Sequence, residues 1–354
     1  MSISLSSTPV SRRSFLRNLG LTTATTMALS SSAPFVRAAD KAGRRPIIVG
    51  TGEHQYEVVH DWGRLPVSCV LGNTHGVVED SQGRIYVKHT VGKGSVCSDA
   101  VLVFDAEGNL ITSWGQDFKG GAHGLHLARE GREEFLYLTD PARHLVVKTT
   151  LDGQELWRAD ASACIDFYPD GNSFRPTNVA TAPDGTVFVA DGYGAGYIHR
   201  FDARGNYQSS FGGAGSGPGN LNCPHGLMVD TRGAVPELVV ADRGNRRLQY
   251  FDLDGRHRRF VTEELRAPCH FAERNGVLLI PDLEARVTLF DRQNRLIAHL
   301  GDGGHYQGVR DKTRDLFPPG KFVAPHGACF DHAGNIFVVE WVEVGRITKL
   351  RKLV

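Results

Sequence analysis

Five histidines recur at the same point of a repeated sequence unit. Each opens an apolar run that ends at a turn containing Gly or Asn, and they are His75, His123, His225, His270 and His326. His225 follows His123 by 102 positions and His326 follows His225 by 101, with one further unit inside each interval. The unit is therefore about fifty residues long, a period typical of stacked or circular β-architectures.

Each unit reads as four short strands. The second strand alternates in hydrophobicity and ends in an acid in every copy but the first, which ends at His89; the six ranges are 83–89, 134–140, 185–191, 237–242, 276–282 and 334–340. A third strand closes on FDxxG or a relative, as in RFDARG (200–205), and the last often ends on an aromatic residue and Gly, as in SFGG (210–213). Period-two alternation between Gly, Asn and Asp turns indicates strands and hairpins. Six copies are present, and the third begins at Asn178 instead of a histidine.

Six units of four strands predict an all-β fold, a six-bladed β-propeller whose first strands line a central channel. The five histidines would then form a ring around that channel. Residues 56–63 read as a fourth strand without a blade, while the last unit stops after residues 345–353 with its fourth strand missing. We expect the N-terminal strand to complete the last blade and close the ring, which leaves no open sheet edge. Residues 51–354 would form this single domain.

The first residues have the features of a twin-arginine signal peptide. SRRSFLR (11–17) is followed by a mildly apolar run at 19–30 and by a small-residue site, VRA before Ala39. We expect residues 1–38 to be removed and residues 39–50 to be a linker. The alternative, an uncleaved membrane anchor, is disfavoured because the apolar run is shorter than the roughly 20 residues that span a bilayer. The mature chain is expected in the periplasm or otherwise exported, with no membrane span.

Charge and cysteine content exclude some partners and leave others open. Loss of the predicted leader removes four arginines and no acids, which changes the formal net charge from +1 to −3. A chain of this charge without a basic stripe is not expected to bind nucleic acid. Among the six cysteines, Cys223, Cys269 and Cys329 lie within three residues of ring histidines and could be soft metal ligands, although buried thiols or an occasional disulfide are simpler interpretations. The oligomeric state stays open, with a monomer as the default expectation.

Three of the histidines share one phrase, His followed by Gly, and their blades alternate around the ring. His123, His225 and His326 fall in the second, fourth and sixth units, at steps of about 120° in a six-fold propeller, so they can converge on one ion. Neutral imidazole is the commonest metal ligand, and three histidines with an open position are typical of catalytic zinc. Zinc is the expected ion, with copper and iron as alternatives. His75 and His270 could extend this metal site, bind substrate, or only form hydrogen bonds within the channel.

With these residues the chain resembles the catalytic core of peptidyl-α-hydroxyglycine α-amidating lyase. That family has a six-bladed propeller of NHL-type repeats and a zinc held by three histidines of alternate blades. The resemblance covers nearly the whole mature chain and is strongest in FRPTNVATAPDGTVFVADGY (174–193), CPHGLMVD (223–230) and VVADRGNRRLQYF (239–251).

The resemblance implies roles for individual residues. It places the zinc ligands at His123, His225 and His326, the catalytic tyrosine at Tyr193 in ADGY, and one active-site arginine at Arg243 in ADRGNRRLQ. The implied reaction splits a carbinolamide with a terminal carboxylate into an amide and glyoxylate. The implied partner is therefore a small molecule or a peptide C-terminus.

The chain departs from the family pattern at several positions. The family's second active-site arginine has no counterpart in YVKHTVG, where Thr90 lies nearest and Lys88 and His89 lie beside it. Gly327 stands where the family's structural calcium site has an aspartate, so calcium is not expected. His75 and His270 have no counterpart in the family's ring. Two other function classes therefore stay open: a lactonase-like metallohydrolase, whose metal shells are rich in carboxylates, and a non-catalytic NHL-repeat binding protein.

Overall fold

The computed structural model describes residues 45–164, 167–168, 173–304 and 307–353. The predicted signal peptide lies outside these residues, as does the first half of the predicted linker, residues 39–44. Pro46–Val354 form one compact unit. Within the described residues the helical elements are short 3-10 turns, and none is a helix long and apolar enough to cross a membrane. The turns are Gln116–Phe118, Ala161–Cys164, Arg243–Asn245, Gln307–Val309 and Arg314–Leu316.

The remaining elements are strands. In chain order they are β1 (Ile48–Thr51), β2 (His54–Val59), β3 (Thr74–Glu79), β4 (Ile85–His89), β5 (Val101–Phe104), β6 (Leu110–Trp114), β7 (Leu125–Glu130), β8 (Glu133–Asp140), β9 (Leu145–Thr149), β10 (Glu155–Asp160), β11 (Asn178–Thr181), β12 (Val187–Ala190), β13 (Tyr197–Phe201), β14 (Tyr207–Gly212), β15 (Pro224–Asp230), β16 (Glu237–Asp242), β17 (Arg247–Phe251), β18 (His257–Val261), β19 (Ala272–Arg274), β20 (Val277–Asp282), β21 (Arg286–Phe290), β22 (Leu296–Leu300), β23 (Pro325–Phe330), β24 (Ile336–Glu340) and β25 (Arg346–Lys352).

These strands form six antiparallel sheets, which confirms the predicted six-bladed propeller. Five blades are four-stranded meanders in chain order: β3 to β6, β7 to β10, β11 to β14, β15 to β18, and β19 to β22. The third blade begins at Asn178, as the repeat phasing predicts. The apolar face of each sheet packs against its neighbour. Between the last and first blades, for example, Val77 and Phe104 share one buried cluster with Phe337 and Val339.

The sixth blade is closed by the N-terminal segment, as expected, but its strand boundaries differ from the prediction. β2 pairs antiparallel with β25, with Tyr56 opposite Lys352 and Val59 opposite Lys349. The closing strand thus begins two residues earlier than residue 56 and ends at Val59. β1 folds back on β2 and adds a fifth strand in a segment where a linker is predicted through residue 50. Val49 and Val58 pack against the buried cluster of the last two blades, so burial of these side chains stabilises the extra strand.

Closure of the ring depends on the buried face of β2, and substitution of Tyr56 tests this. Tyr56 is almost completely buried in the cluster between the fifth and sixth blades. We expect Tyr56→Ala to lower the free energy of unfolding by about 3–5 kcal/mol, the range for removing a buried aromatic ring. Urea denaturation should show this change as a lower midpoint. Val67→Ala, at a position that is 98% exposed, should change stability by less than about 0.5 kcal/mol. Equal effects from both variants would contradict a closing role for β2.

Candidate metal centre and active site

Three of the ring histidines, His75, His225 and His326, sit at irregular points where the first strand of a blade begins. The β3–β4 register passes from Thr74 to Gly76 and skips His75, and the β23–β24 register skips His326 in the same way. The β15–β16 register is also interrupted between Pro224 and Leu227, around His225. A β-bulge breaks the alternation of side chains and re-aims one of them. At these irregularities the imidazoles of His75, His225 and His326 need not follow the alternation of the other side chains in their strands.

Three imidazoles are held by the main chain of the following blade. The Nδ1 atom of His123 lies 2.8 Å from the Thr177 carbonyl oxygen. Nδ1 of His225 lies 2.9 Å from the Cys269 carbonyl oxygen, and Nδ1 of His326 lies 2.9 Å from the His75 carbonyl oxygen. Because a carbonyl only accepts, Nδ1 must carry the proton, and Nε2 keeps its lone pair for a metal.

The glycine after each of these histidines is explained by the same contact. A Cβ atom at Gly124 would lie 2.4 Å from the Thr177 carbonyl oxygen, and one at Gly226 would lie 2.4 Å from that of Cys269. A Cβ atom at Gly327 would lie 2.5 Å from the His75 carbonyl oxygen. No side chain fits at these distances, so the His-Gly phrase joins a blade to the next one. It also means that position 327 has no room for the aspartate of the family's calcium site.

Four of the five predicted ring histidines contact one another. Their ring centroids are 4.8 Å apart for His75 and His123, 4.9 Å for His123 and His225, 4.6 Å for His225 and His326, and 4.7 Å for His326 and His75. His123 and His326 also lie 4.8 Å apart across the ring. The nitrogens of His75, His123 and His326 fall within 4.8 Å of one another, so these three buried residues could hold a metal ion.

His270 stands apart from this group. It is buried, but no ring contact joins it to the other four within the residues that the structure describes. Its imidazole interacts with the backbone of Ala328, two residues beyond His326. It is also the one ring histidine followed by a bulky residue, Phe271, instead of Gly. His270 is therefore outside the group of contacting rings, and its part in metal binding stays a prediction.

Burial keeps these imidazoles neutral. Removal from water lowers the pKa of His123 to about 3 and lowers the pKa of His225, His326 and His75 well below the ordinary value for histidine. Neighbouring cationic groups, Arg243 among them, lower the pKa of His225 further. Neutral imidazole is the form that binds metals. The set is therefore suited to a transition-metal ion near neutral pH.

Tyr193 follows β12 and reaches this centre from the third blade. Its hydroxyl oxygen lies 3.0 Å from Nε2 of His123 and 3.0 Å from Nε2 of His225. The side chain as a whole is 38% exposed, but the hydroxyl is the end that meets the buried imidazoles. Burial raises the pKa of Tyr193 to about 12, against the lowering effect of the Arg243 cation. The predicted base and two predicted metal ligands are thus in direct contact.

Arg243 lies over Tyr193, with its guanidinium carbon 5.5 Å from the ring centroid. Its hydrogen-bond partners in the described residues are sulfur atoms, Cys223 Sγ at 3.2 Å and Cys269 Sγ at 3.8 Å. Burial alone would lower the pKa of Arg243, but Cys269, Tyr193 and Cys223 raise it. No carboxylate of the described residues pairs with this cation. Arg243 therefore has donors available for an anionic ligand.

The cysteines near the ring do not join the metal centre. All six cysteines are free thiols, and Cys223 and Cys269 point at Arg243 instead of a ring histidine. Cys223 adopts a left-handed backbone conformation, with φ of 54°, at the entry to β15. Such strain in a residue other than glycine is often found at functional sites. Cys329 is buried in the cluster between the last and first blades.

The residues near the missing second arginine do not replace it. Lys88 is buried, and its Nζ atom donates to the carbonyl oxygens of Gly124, 3.1 Å away, and Thr139, 2.8 Å away. Burial lowers the pKa of Lys88 to about 7. His89 binds main-chain groups around Gly72 and Asp99. Thr90 carries no charge, so Arg243 is the cation that faces Tyr193.

The acids that end the second strands have a role in the site beyond marking a repeat. In the third to sixth blades, this acid accepts hydrogen bonds from main-chain N–H groups of the loop that leads to the ring position of its own blade. The recorded pairs join Asp191 to Arg175, Asp242 to Asn222, Asp282 to Arg266 and Ala267, and Glu340 to Val323 and Ala324. The sequence shows these acids but not their targets, which only the folded blade brings within reach. They set the position from which each ring residue enters the channel.

A groove lies beside Tyr193, which forms part of its lining. It has a volume of about 530 Å³ and lies between the Gly192–Gly196 turn and the segment from Ala214 to Cys223. Its walls are mainly backbone and small side chains, with Asn222 and Asn245 as polar groups.

Comparisons with known proteins agree with this geometry. Over 201 residues the chain is 26% identical to a probable peptidyl-alpha-hydroxyglycine alpha-amidating lyase of Caenorhabditis elegans, a match that covers 51% of this chain and 56% of that protein. Over 241 residues it is 25% identical to NHL repeat-containing protein 3 of Homo sapiens, which covers 64% of this chain and 67% of the human protein. The chain thus spans about half the length of the nematode lyase. These similarities confirm the predicted resemblance to amidating lyases and NHL-repeat proteins.

The fold has a counterpart among solved structures. A streptogramin B lyase aligns with a TM-score of 0.57 at 12% identity, covering 83% of this chain and 97% of the other. This likeness shows the propeller fold alone. No protein-family profile matches the chain.

The His-Gly contact can be tested at Gly226. We expect Gly226→Ala to lower the free energy of unfolding by about 1–3 kcal/mol, because the new Cβ would collide with the carbonyl that orients His225. Metal affinity should fall at least about tenfold, the usual effect of disturbing a group that orients a ligand. Gly308→Ala is the matched control, since nothing lies within 4 Å of a Cβ there. Metal titration and urea denaturation of both variants measure the two effects, and wild-type metal affinity in Gly226→Ala would contradict this role.

The three alternate-blade histidines can be tested by metal content. We expect His123→Ala, His225→Ala and His326→Ala each to reduce bound transition metal sharply, because each removes one imidazole from the centre. Elemental analysis by mass spectrometry gives metal per chain. His332→Ala removes an exposed histidine that pairs with Glu79 and should keep the wild-type content. A triple variant that retains one full equivalent would show that the metal binds elsewhere.

Proposed function

We propose that this protein is a metal-dependent lyase that cleaves an α-hydroxyglycine compound into an amide and glyoxylate. One observation carries the proposal: the Tyr193 hydroxyl contacts Nε2 of both His123 and His225 beside the Arg243 guanidinium, which has no carboxylate partner among the described residues. Sequence similarity to amidating lyases supports the same reaction. The substrate class would be peptides or small acyl groups that end in α-hydroxyglycine.

The protein supplies a suitable place for the ion that such a reaction needs. Main-chain carbonyls hold Nδ1 of His123, His225 and His326, and this leaves their Nε2 atoms as metal donors. Zinc is the ion we propose, with copper or iron as alternatives. When bound, a divalent ion supplies a Lewis acid that polarises a hydroxyl oxygen and favours the ionised form of a nearby phenol.

Tyr193 would move the proton. Its oxygen accepts the proton of the substrate hydroxyl, and the oxygen left behind forms a carbonyl with the α-carbon. The bond from that carbon to the amide nitrogen breaks, and the electron pair goes to the nitrogen. Tyr193 then returns the proton to the nitrogen, so the products are an amide and glyoxylate with no other reactant consumed.

Arg243 would orient the substrate by its carboxylate. Its guanidinium presents two N–H groups side by side, a geometry that matches both oxygens of a carboxylate. The sulfur atoms that now accept from it are weak acceptors, so a carboxylate can replace them. Binding there would place the α-carbon between Arg243 and the histidines. The groove beside Tyr193 would hold the part of the substrate that precedes the hydroxyglycine.

Glyoxylate release from α-hydroxyhippurate tests the proposal. We expect slow, metal-dependent release, slow because Thr90 stands near the place of a second arginine. Tyr193→Phe should abolish most of this activity and leave the metal bound, because Tyr193 belongs to the blade without a ring histidine and the change removes only a hydroxyl. Colorimetric detection of glyoxylate and elemental analysis of the same samples separate the two effects.

Two controls make the result decisive. Tyr207→Phe removes a hydroxyl on the outer strand of the same blade, where Tyr207 contacts Ser210, and should retain wild-type activity. Free metal at the same concentration gives the background rate. Metal-loaded protein that produces no glyoxylate above that background would refute the lyase reaction and favour a metallohydrolase or a binding protein.

A further inference from the structure

His75 in the first blade is a buried imidazole with no hydrogen-bond partner in the described protein. It is 7% exposed, and both Nδ1 and Nε2 lack a partner. A buried polar group without a partner is unfavourable, and a bound ion is one explanation for it. His75 therefore differs from His225 and His326, whose Nδ1 atoms are both held by carbonyl oxygens.

The position of His75 extends the group of contacting histidines beyond the three of alternate blades. His123, His225 and His326 form one triangle of rings, and His75, His123 and His326 form a second triangle that shares an edge with the first. Nitrogens of the second triangle lie within 4.8 Å of one another. Tyr193 contacts two members of the first triangle. The recorded contacts of His75 are with the rings of His123 and His326.

The sequence around His75 matches that of the three other contacting histidines. His75 is followed by Gly76, where a Cβ atom would lie 2.5 Å from Cβ of Leu125 in the next blade. Gly124, Gly226 and Gly327 are likewise approached closely by the next blade, in their case by a carbonyl oxygen. His270, which stands apart, lacks the glycine. The His-Gly phrase thus selects the four histidines that meet in the channel.

We propose that His75 is a fourth protein ligand, so that the ion is bound by four imidazoles from the first, second, fourth and sixth blades. This inference rests on the metal site of the proposed function. A bound ion would then be held by imidazole nitrogens alone, with no carboxylate or thiolate ligand from the protein. Four such nitrogens also suit copper(II) and nickel(II), which accept tetragonal nitrogen sets, in addition to zinc.

X-ray absorption of the purified full-length protein, loaded with one equivalent of zinc, tests the proposal. We expect four imidazole ligands in the wild type and three in His75→Ala. Competition with a chromophoric chelator should show an apparent Kd for zinc at least about tenfold higher in His75→Ala, because a direct ligand is lost. Pulsed EPR of the copper(II)-loaded proteins gives an independent count of coupled imidazoles.

His270→Ala is the matched control, since it removes another buried ring histidine that lies outside the contacting group. It should keep four imidazoles and wild-type affinity for zinc. His75→Asn serves if the alanine variant does not fold. Three imidazoles in the wild type, with unchanged affinity in the His75 variant, would refute the fourth ligand and leave the lyase proposal standing. Failure of the wild type to bind any of these ions would refute both.

Discussion

The candidate metal centre depends on one repeated contact, the hydrogen bond from a histidine Nδ1 to a main-chain carbonyl of the following blade. It fixes the tautomer, aims Nε2 at the channel, and joins neighbouring blades near the axis. His326 makes this contact with the His75 carbonyl, across the junction where the last blade meets the first. Farther from the axis the ring is closed inside the last blade, by the pairing of β2 with β25. Closure of the ring and construction of the site are therefore parts of one structure.

The acids at the ends of the second strands complete this arrangement. Asp242 holds the main chain at Asn222, three residues before His225, while it also pairs with Arg247. Glu340 holds Val323 and Ala324 just before His326, and pairs with the buried Arg346. These carboxylates satisfy loop N–H groups that would otherwise be buried without partners. Because the same acids are used by their own blades, Arg243 has no carboxylate partner in the part of the chain that the structure describes.

The sequence predicts the blades well because each repeat carries its own signals. Alternation and turn residues define the second strands, and the period fixes their number. β1 could not be predicted in this way, since IVGT belongs to no repeat and is ordered by burial of Val49 against the fifth and sixth blades. For the site, the His-Gly phrase identifies the contacting histidines and the lyase resemblance points to Tyr193. The contact of Arg243 with Cys223 and Cys269 depends on the path of two loops, which no local pattern specifies.

The imidazole ligands of the proposed metal centre determine its net charge, and this charge bears on whether the centre would favour a lyase or a hydrolase reaction. Neutral imidazoles leave the charge of a divalent ion uncompensated, whereas a carboxylate-rich shell would cancel much of it. Arg243 adds another positive charge within reach of Tyr193. The acids at the ends of the adjacent second strands are already engaged, Asp191 with Tyr168 and loop N–H groups, and Asp242 with Arg247. In a site from which water is largely removed, such a positive centre stabilises an anion strongly. A substrate with a carboxylate next to the reacting carbon fits this centre better than a neutral ester or lactone, which is the physical reason to prefer the lyase over the hydrolase.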